Sequence, residues 1–458
     1  MGRERCVVCG ASASTTGSES SSSSSSSSSI VSEDAASPPR ICILGGGFGG
    51  LYTALRLSTL VWRGGKKPII TLVDRRDTFV FKPLLYEVVT EELGVDEVAP
   101  SYDDLLRGTD VAFTRGRVRS VGPRADDGGP GIVETEEGVT IPYDYVVVAF
   151  GSETRLDLAD GARKHATPFC DLEDALRVKA FLKSVPETPS GAVPTLAIVG
   201  AGTSGVELAA SIADRYADRV RVQLITPGRD ILSSASEGQR SNAWAILSKG
   251  NVDVLLATSV TRVAKDADAL KYTLGVEHKD RGSECLSADF VVWTAGQKPA
   301  SVPVPASLSD PFLTRTEAGN LATDTFLRIQ GSEYAFALGD IALSGGGGKD
   351  QQAMPFTAQV AFQQSDYVAW NLWSAISGQP LLPFQYQHLG DMMSLGKFDA
   401  TVALPVGGLT LGGAPASLLR KAAYVYRMPT LEQSLRLGIN WTQKIVSTIS
   451  ADVLRGGA

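Results

Sequence analysis

Short unbroken apolar runs recur along the chain, and several stop at a glycine. Ile41–Leu44, Tyr145–Phe150, Leu196–Val199, Phe290–Thr294 and Tyr334–Leu338 read as strands covered on both faces, the habit of parallel sheets. Ile69–Val73, Val220–Ile225 and Val252–Leu256 add further strands, while Gly49–Leu60 and Val206–Tyr216 carry apolar residues at helical spacing. Strand and helix alternate, so the expected class is α/β. The pattern changes near Ala416. Leu418, Leu419, Ala422, Val425 and Tyr426 share one stripe, and Arg420, Lys421 and Arg427 form a basic cluster. Beyond Pro429 a second helix places Leu431, Leu435, Ile439, Val446, Ile449 and Val453 on one side, with Trp441 and Lys444 at its edge. These helices read as lying in a lipid headgroup plane. The alternative is packing on the core or on a second copy, which would give a homodimer. Under the membrane reading, truncation after Leu411 releases the chain from lipid.

Two of the strands end in the same glycine pattern. Ile41–Leu44 runs into Gly45, Gly47 and Gly50, and Leu196–Val199 runs into Gly200, Gly202 and Gly205. In such a turn the first glycine makes the bend, the second lets backbone approach a pyrophosphate, and the third lets helix and strand pack closely. The helix start then offers free N–H groups and a partial positive charge to phosphate. One such pattern is a weak signal. Two in one chain imply two nucleotides edge to edge, as hydride transfer between a flavin and a nicotinamide requires. Asp74 closes the strand after the first fingerprint, where a carboxylate accepts from an adenosine ribose. The corresponding second stretch, Val220 to Arg229, has no acid at its tip. An acid there repels a 2′-phosphate, so its absence predicts that NADPH is accepted; Arg229 is either its partner or a solvated turn residue. Candidate flavin contacts are Gly45, Gly47, Phe48, Gly49, Gly50, Asp74, Lys82, Gly151, Gly339 and Asp340. Candidate NAD(P)H contacts are Gly200, Gly202, Thr203, Ser204, Gly205, Arg229 and Gly296.

Composition narrows the chemistry. With 458 residues the chain is long enough for two or three domains. A formal net charge of −7 leaves no basic footprint, so nucleic acid is not an expected partner. The three histidines, His165, His278 and His388, have no metal-ligand spacing. No cysteine follows Gly50 before Cys170, which excludes a dithiol beside the flavin and with it disulfide reduction. Residues 1–39 hold Arg3, Arg5 and a serine run from Ser20 to Ser29, the composition of an organelle transit peptide or an unaddressed disordered tail.

Further motifs carry a resemblance. Phe81-Lys82-Pro83-Leu84-Leu85-Tyr86, Thr294-Ala295-Gly296, Leu338-Gly339-Asp340 and Ala358-Gln359-Val360-Ala361-Phe362-Gln363-Gln364, together with the paired fingerprints, resemble the type II NAD(P)H:quinone oxidoreductases from about Arg40 to Ala458. Phe79-Val80-Phe81-Lys82-Pro83 and Gly390-Asp391-Met392-Met393-Ser394-Leu395-Gly396 are most similar to its plant C-type members. The resemblance implies FAD, NADH or NADPH as donor, a membrane prenylquinone as acceptor, and a chloroplast site at plastoglobule or thylakoid surface. The mitochondrion, or both, is the alternative. It further implies a quinone pocket at Gln359 and Gln363, which are four apart and share a helix face, and proton delivery by Glu207. The expected architecture is two Rossmann-like dinucleotide-binding domains, one inserted in the other, plus an amphipathic helical foot. Residues 40–164 and 312–400 form the FAD domain, 165–311 the NAD(P)H domain, and 401–458 the membrane-associating region. The rivals are a soluble reductase of a carrier protein or ascorbate radical, and a flavin-binding interaction protein.

Overall fold

The computed structural model describes residues 37–458 apart from 63–66, 126, 188–190, 267–270, 302–312, 344–353, 406–407 and 457–458; of 445–456 it describes the backbone only. The expected transit segment up to residue 36 and the side chains of Val446, Ile449 and Val453 lie outside the described residues.

Two five-stranded parallel sheets form the framework, and each has a fingerprint strand at its centre. In the first, Arg40–Leu44 pairs with Ile69–Asp74 on one side and Tyr145–Val148 on the other. Val111–Arg115 and Ala335–Ala337 complete its edges. In the second, Thr195–Val199 lies between Arg221–Ile225 and Phe290–Trp293, with Val252–Leu255 and Thr167–Pro168 outside them. The apolar runs dictate this placement. Ile41, Cys42, Ile43, Leu44, Leu196, Ala197, Ile198 and Val199 are all buried, so both faces of each central strand are covered. Each sheet carries a three-stranded antiparallel sheet in the same place along its chain, 118–143 in the first half and 258–288 in the second. Ala335–Ala337 joins the first sheet although it follows the whole of the second in sequence.

Three expected boundaries can be compared with these elements. The division at 164/165 falls within the short helix Ala162–His165, and Ala162 already packs in the core of the second sheet. The division at 400/401 falls within the strand Ala400–Ala403, which pairs with Asp391–Ser394 and Thr410–Gly412. The third, at 311/312, lies outside the described residues. After this small sheet come two helices, Gly413–Tyr426 and Leu431–Gly456. Tyr424, Met428, Leu437 and Trp441 are part of the main apolar core, so the helix pair is built into the body of the protein. No described helix is long and apolar enough to cross a membrane.

Candidate functional site

The two glycine turns are near copies. Gly45 and Gly200 have φ of +100° and +113°, a region that favours glycine, and each amide donates to a carbonyl at the end of the neighbouring strand, those of Val73 and Ile225. A Cβ at Gly50 would stand 1.8 Å from the Gly45 carbonyl oxygen, and one at Gly205 would stand 1.9 Å from that of Gly200. These positions therefore set the helix–strand approach. A Cβ at Gly47 or Gly202 would meet nothing within 4 Å, so the helix starts at Phe48 and Thr203 face open space with their N–H groups. Gly47, Thr203 and Ser204 are exposed and Phe48 and Gly49 flank them, which fits a pyrophosphate at each turn.

The turns differ in what surrounds them. Asp74 accepts the Gly46 amide at 2.7 Å and the Arg76 amide at 2.9 Å, so its carboxylate braces the first turn. At the second turn Thr294 braces instead, donating to the carbonyls of Val199 and Gly200. Arg229 is exposed beyond the strand tip. Its neighbour Asp230 takes hydrogen bonds from the Ile231 amide and Trp244 and faces Arg240, leaving Arg229 as the charged group turned to solvent in that turn.

Further along, Gly151, Gly296 and Gly339 all have positive φ, at +70°, +71° and +72°. Ser152 donates to Asp340 at 2.6 Å, and burial raises the Asp340 carboxyl, with the Lys82 charge opposing that rise. The Gly339 amide donates to Gln364 Oε1 at 2.6 Å. The helix Ala358–Ser377 thus starts beside the Gly339 turn, and Phe362 lies 5.0 Å from the Phe48 ring. Gln359 and Gln363 sit on this helix, and both amides hold the stretch 386–390. Gln359 donates to the Gly390 carbonyl and accepts from Tyr386 and Leu389; Gln363 donates to and accepts from Gln387.

Glu207 makes its hydrogen bonds with partners other than those two. It is 7% exposed on the Thr203–Tyr216 helix, and burial lifts its carboxyl to about 7. Tyr86 donates to its Oε1 at 3.0 Å and the Ser394 amide does so at 2.9 Å. Beyond Tyr86 the cluster continues into the C-terminal helices. Arg420 donates to Glu87 Oε1 at 2.7 Å and to the Tyr86 hydroxyl at 3.4 Å, and Trp441 donates to Glu87 Oε2 at 3.1 Å.

This overturns the expected surface of the tail. Arg420 and Lys421 are buried, Arg427 is half-buried over the Phe362 ring, Trp441 is buried, and Lys444 donates to the Glu92 carbonyl. The side presented to solvent carries the apolar residues Leu418, Leu419, Tyr426, Leu431, Leu435 and Ile439, with the exposed ion pair Glu432–Arg436 between them on the second helix. A groove of about 610 Å³, lined by Val425, Leu435, Gly438 and Ile439 among others, runs between the helices. The sequence stripe is real, but the basic residues turn toward the protein: Arg420 pairs with Glu87, Lys421 donates to the Lys397 carbonyl and Arg427 lies over Phe362. Sequence reasoning gave no role at the site to Glu87, Arg420, Ser394 or Gln364. Glu87 did leave a trace, as a lone acid in the run Leu84-Leu85-Tyr86-Glu87-Val88-Val89. Cys170 is free, and burial pushes its thiol up to about 12, so it is no ready nucleophile.

A family model for pyridine nucleotide-disulphide oxidoreductases matches residues 39–365. The chain is 42% identical over 424 residues to the alternative NAD(P)H-ubiquinone oxidoreductase C1, chloroplastic/mitochondrial, of Arabidopsis thaliana, covering 89% of this chain and 81% of that one. It is 40% identical over 406 residues to the demethylphylloquinone reductase NdbB of a Synechocystis strain, covering 88% and 95%. Among solved structures, NDH2 from Plasmodium falciparum matches with a TM-score of 0.74 at 18% identity, over 89% of this chain and 98% of that one, a likeness of fold. With the paired glycine turns these matches place the chain in the pyridine nucleotide-disulphide oxidoreductase family, among the alternative, type II NAD(P)H:quinone oxidoreductases.

Proposed function

We propose that the chain oxidises NADPH or NADH and reduces a membrane prenylquinone, of the benzoquinone or naphthoquinone type, with FAD as resident cofactor. The observation that carries this is the paired open glycine turns at the centres of two matching sheets, in a chain with no cysteine between Gly50 and Cys170. Gly45, Gly47, Phe48, Gly49, Gly50, Asp74, Lys82, Gly151, Gly339 and Asp340 hold the FAD. Gly200, Gly202, Thr203, Ser204, Gly205, Arg229 and Gly296 hold the nicotinamide nucleotide. The discontinuous FAD unit (40–164 and 312–400) and the inserted NAD(P)H unit (165–311) follow from this assignment, with edges adjusted to the strands and helices above.

Bound there, the flavin would supply the relay of two electrons from nicotinamide to quinone. The protein's own residues supply position and protons. The glycine turns aim N–H groups at pyrophosphates. Hydride from NAD(P)H carries two electrons and one proton, so quinol formation draws one further proton from solution. Glu207 holds that proton: with a carboxyl near 7 it is poised both to take and to release it at neutral pH. Gln359 and Gln363 shape the acceptor side, where their engagement with 386–390 fixes the wall of the quinone pocket.

The outward apolar residues of the C-terminal helices form the lipid foot that lets a long-chain quinone enter from the bilayer. The N-terminal segment directs the chain to the chloroplast, at plastoglobule or thylakoid surface, or to the mitochondrion. The test is steady-state oxidation of NADPH and NADH across benzoquinones and naphthoquinones, with and without lipid vesicles. Turnover that depends on added quinone supports the reading. Dependence on a carrier protein, or negligible turnover with every quinone, contradicts it.

A further inference from the structure

Arg420 and Glu87 are 1% and 4% exposed, and neither has a part in the scheme above. A buried ion pair contributes little to stability relative to an apolar pair of the same size, because both partners lose their hydration. Its geometry, however, bears directly on Glu207. Glu87 is held on both oxygens, by Arg420 and by Trp441. Arg420 also points a donor at the Tyr86 oxygen, and its guanidinium stands over the Tyr86 and Tyr424 rings at 6.0 and 5.2 Å. A phenol has one proton to give. With a guanidinium donor on its oxygen, Tyr86 is left to direct that proton at Glu207 Oε1, which lies 3.0 Å away.

Every element packed on Glu207 contributes to its charge balance. The Leu85–Val89 helix brings Tyr86 and Glu87, the Gly413–Tyr426 helix brings Arg420 and Tyr424, and the Asp391–Ser394 strand brings the Ser394 amide. Glu92, Asp214 and Lys397 line a small polar cavity with Glu87, and Lys421 acts on both Glu87 and Glu92. Burial, and to a lesser extent the Glu87 charge, favour the protonated form of Glu207, whereas the Ser394 amide, Arg420 and Tyr86 favour the carboxylate. Arg420 is the one full positive charge among these.

We propose that Arg420 is a positioning residue for Glu207, acting through Tyr86 and balanced by Glu87, so that the first C-terminal helix sets when the site's carboxyl gives up its proton. This rests on the reading of Glu207 as proton holder. Arg420 to methionine alone leaves Glu87 as an unpaired buried charge, so the informative variant is the double change R420M/E87Q, with R420K as the conservative partner and E207Q as the reference.

Two readouts are needed: the pH profile of kcat for quinone reduction with KM for NADPH measured alongside, and the pH dependence of thermal melting without substrates. In the wild type, kcat falls on the alkaline side as Glu207 loses its proton. In R420M/E87Q that limb is expected to move up by a fraction of a pH unit, because losing Arg420, which favours the carboxylate, outweighs losing the weaker opposing charge of Glu87. KM for NADPH stays unchanged, the melting curves show the same upward displacement, and R420K shifts less. If R420M/E87Q keeps the wild-type limb while E207Q loses it, the inference is overturned and the role of Glu207 stands. If E207Q keeps the limb, the reading of Glu207 fails and takes the inference with it. Should the double variant not fold, R420K decides, and a limb coincident with wild type overturns the proposal.

Discussion

Glu207 carries a cost that pH can reveal. Its carboxyl stands at about 7 in the folded chain against an ordinary value of 4.5, because burial disfavours the charge. A raised acid gives the folded state its full relative stability below about 4.5, where both states are protonated. That stability is lost as pH rises to about 7, and the loss is of the order of 3 kcal/mol. Glu207→Gln removes the titration, so the wild type should lose stability relative to the variant between those limits and run parallel to it above. Parallel melting curves across the whole range would contradict the burial argument. Arg229 supports a second residue-scale prediction. If it meets the 2′-phosphate, Arg229→Gln raises KM for NADPH about tenfold and leaves NADH nearly unchanged, the loss expected for one charged hydrogen bond. Equal effects on both donors would assign Arg229 to the solvated turn instead. The glycine positions were readable because their constraint is local: a bend and a close approach leave a fixed spacing. Arg420 was not, because hydrophobic patterning sends charges outward, and only the fold brings Glu87 opposite it.

Among the elements, the strands were legible as unbroken apolar runs and the fingerprint helices as periodic ones. The helix Ala358–Ser377 was legible as a face bearing Gln359 and Gln363, but its cover was not. Residues 386–390 have no period to read, and their hydrogen bonds to the helix run through the Gln359 and Gln363 amides. The C-terminal helices were half legible, with the right stripe and the wrong orientation for the charges. This changes how the foot should be tested. Truncation after Leu411 would remove Tyr424, Met428, Leu437 and Trp441 from the core and strip Glu87 of its partner, so loss of membrane binding would be confounded with unfolding. The triple change L431Q/L435Q/I439Q alters only outward side chains, which are 76%, 56% and 56% exposed. Each buried apolar side chain is worth about 1.5–3 kcal/mol, so the loss of three should lower co-sedimentation with vesicles by on the order of 1,000-fold or more while melting is preserved. Undiminished vesicle binding would assign the apolar face to a contact between copies or to another partner.

At the scale of the whole molecule, two sheets of the same plan each present an open helix start, and the second half sits in sequence between strands of the first. The C-terminal helices close on this body and reach Glu207 through Tyr86, so these helices, Glu207 and the second glycine turn belong to one packed unit. That arrangement suits a reaction that takes electrons from a water-soluble donor and delivers them to an acceptor in lipid. The most direct test is the anaerobic stoichiometry of the purified full chain loaded with FAD, given NADPH and a prenylquinone in vesicles. The account predicts one quinol formed for each NADPH consumed, with NADPH consumption stopping when the quinone is exhausted. NADPH consumption that proceeds equally without quinone, or no quinol at all, would contradict it.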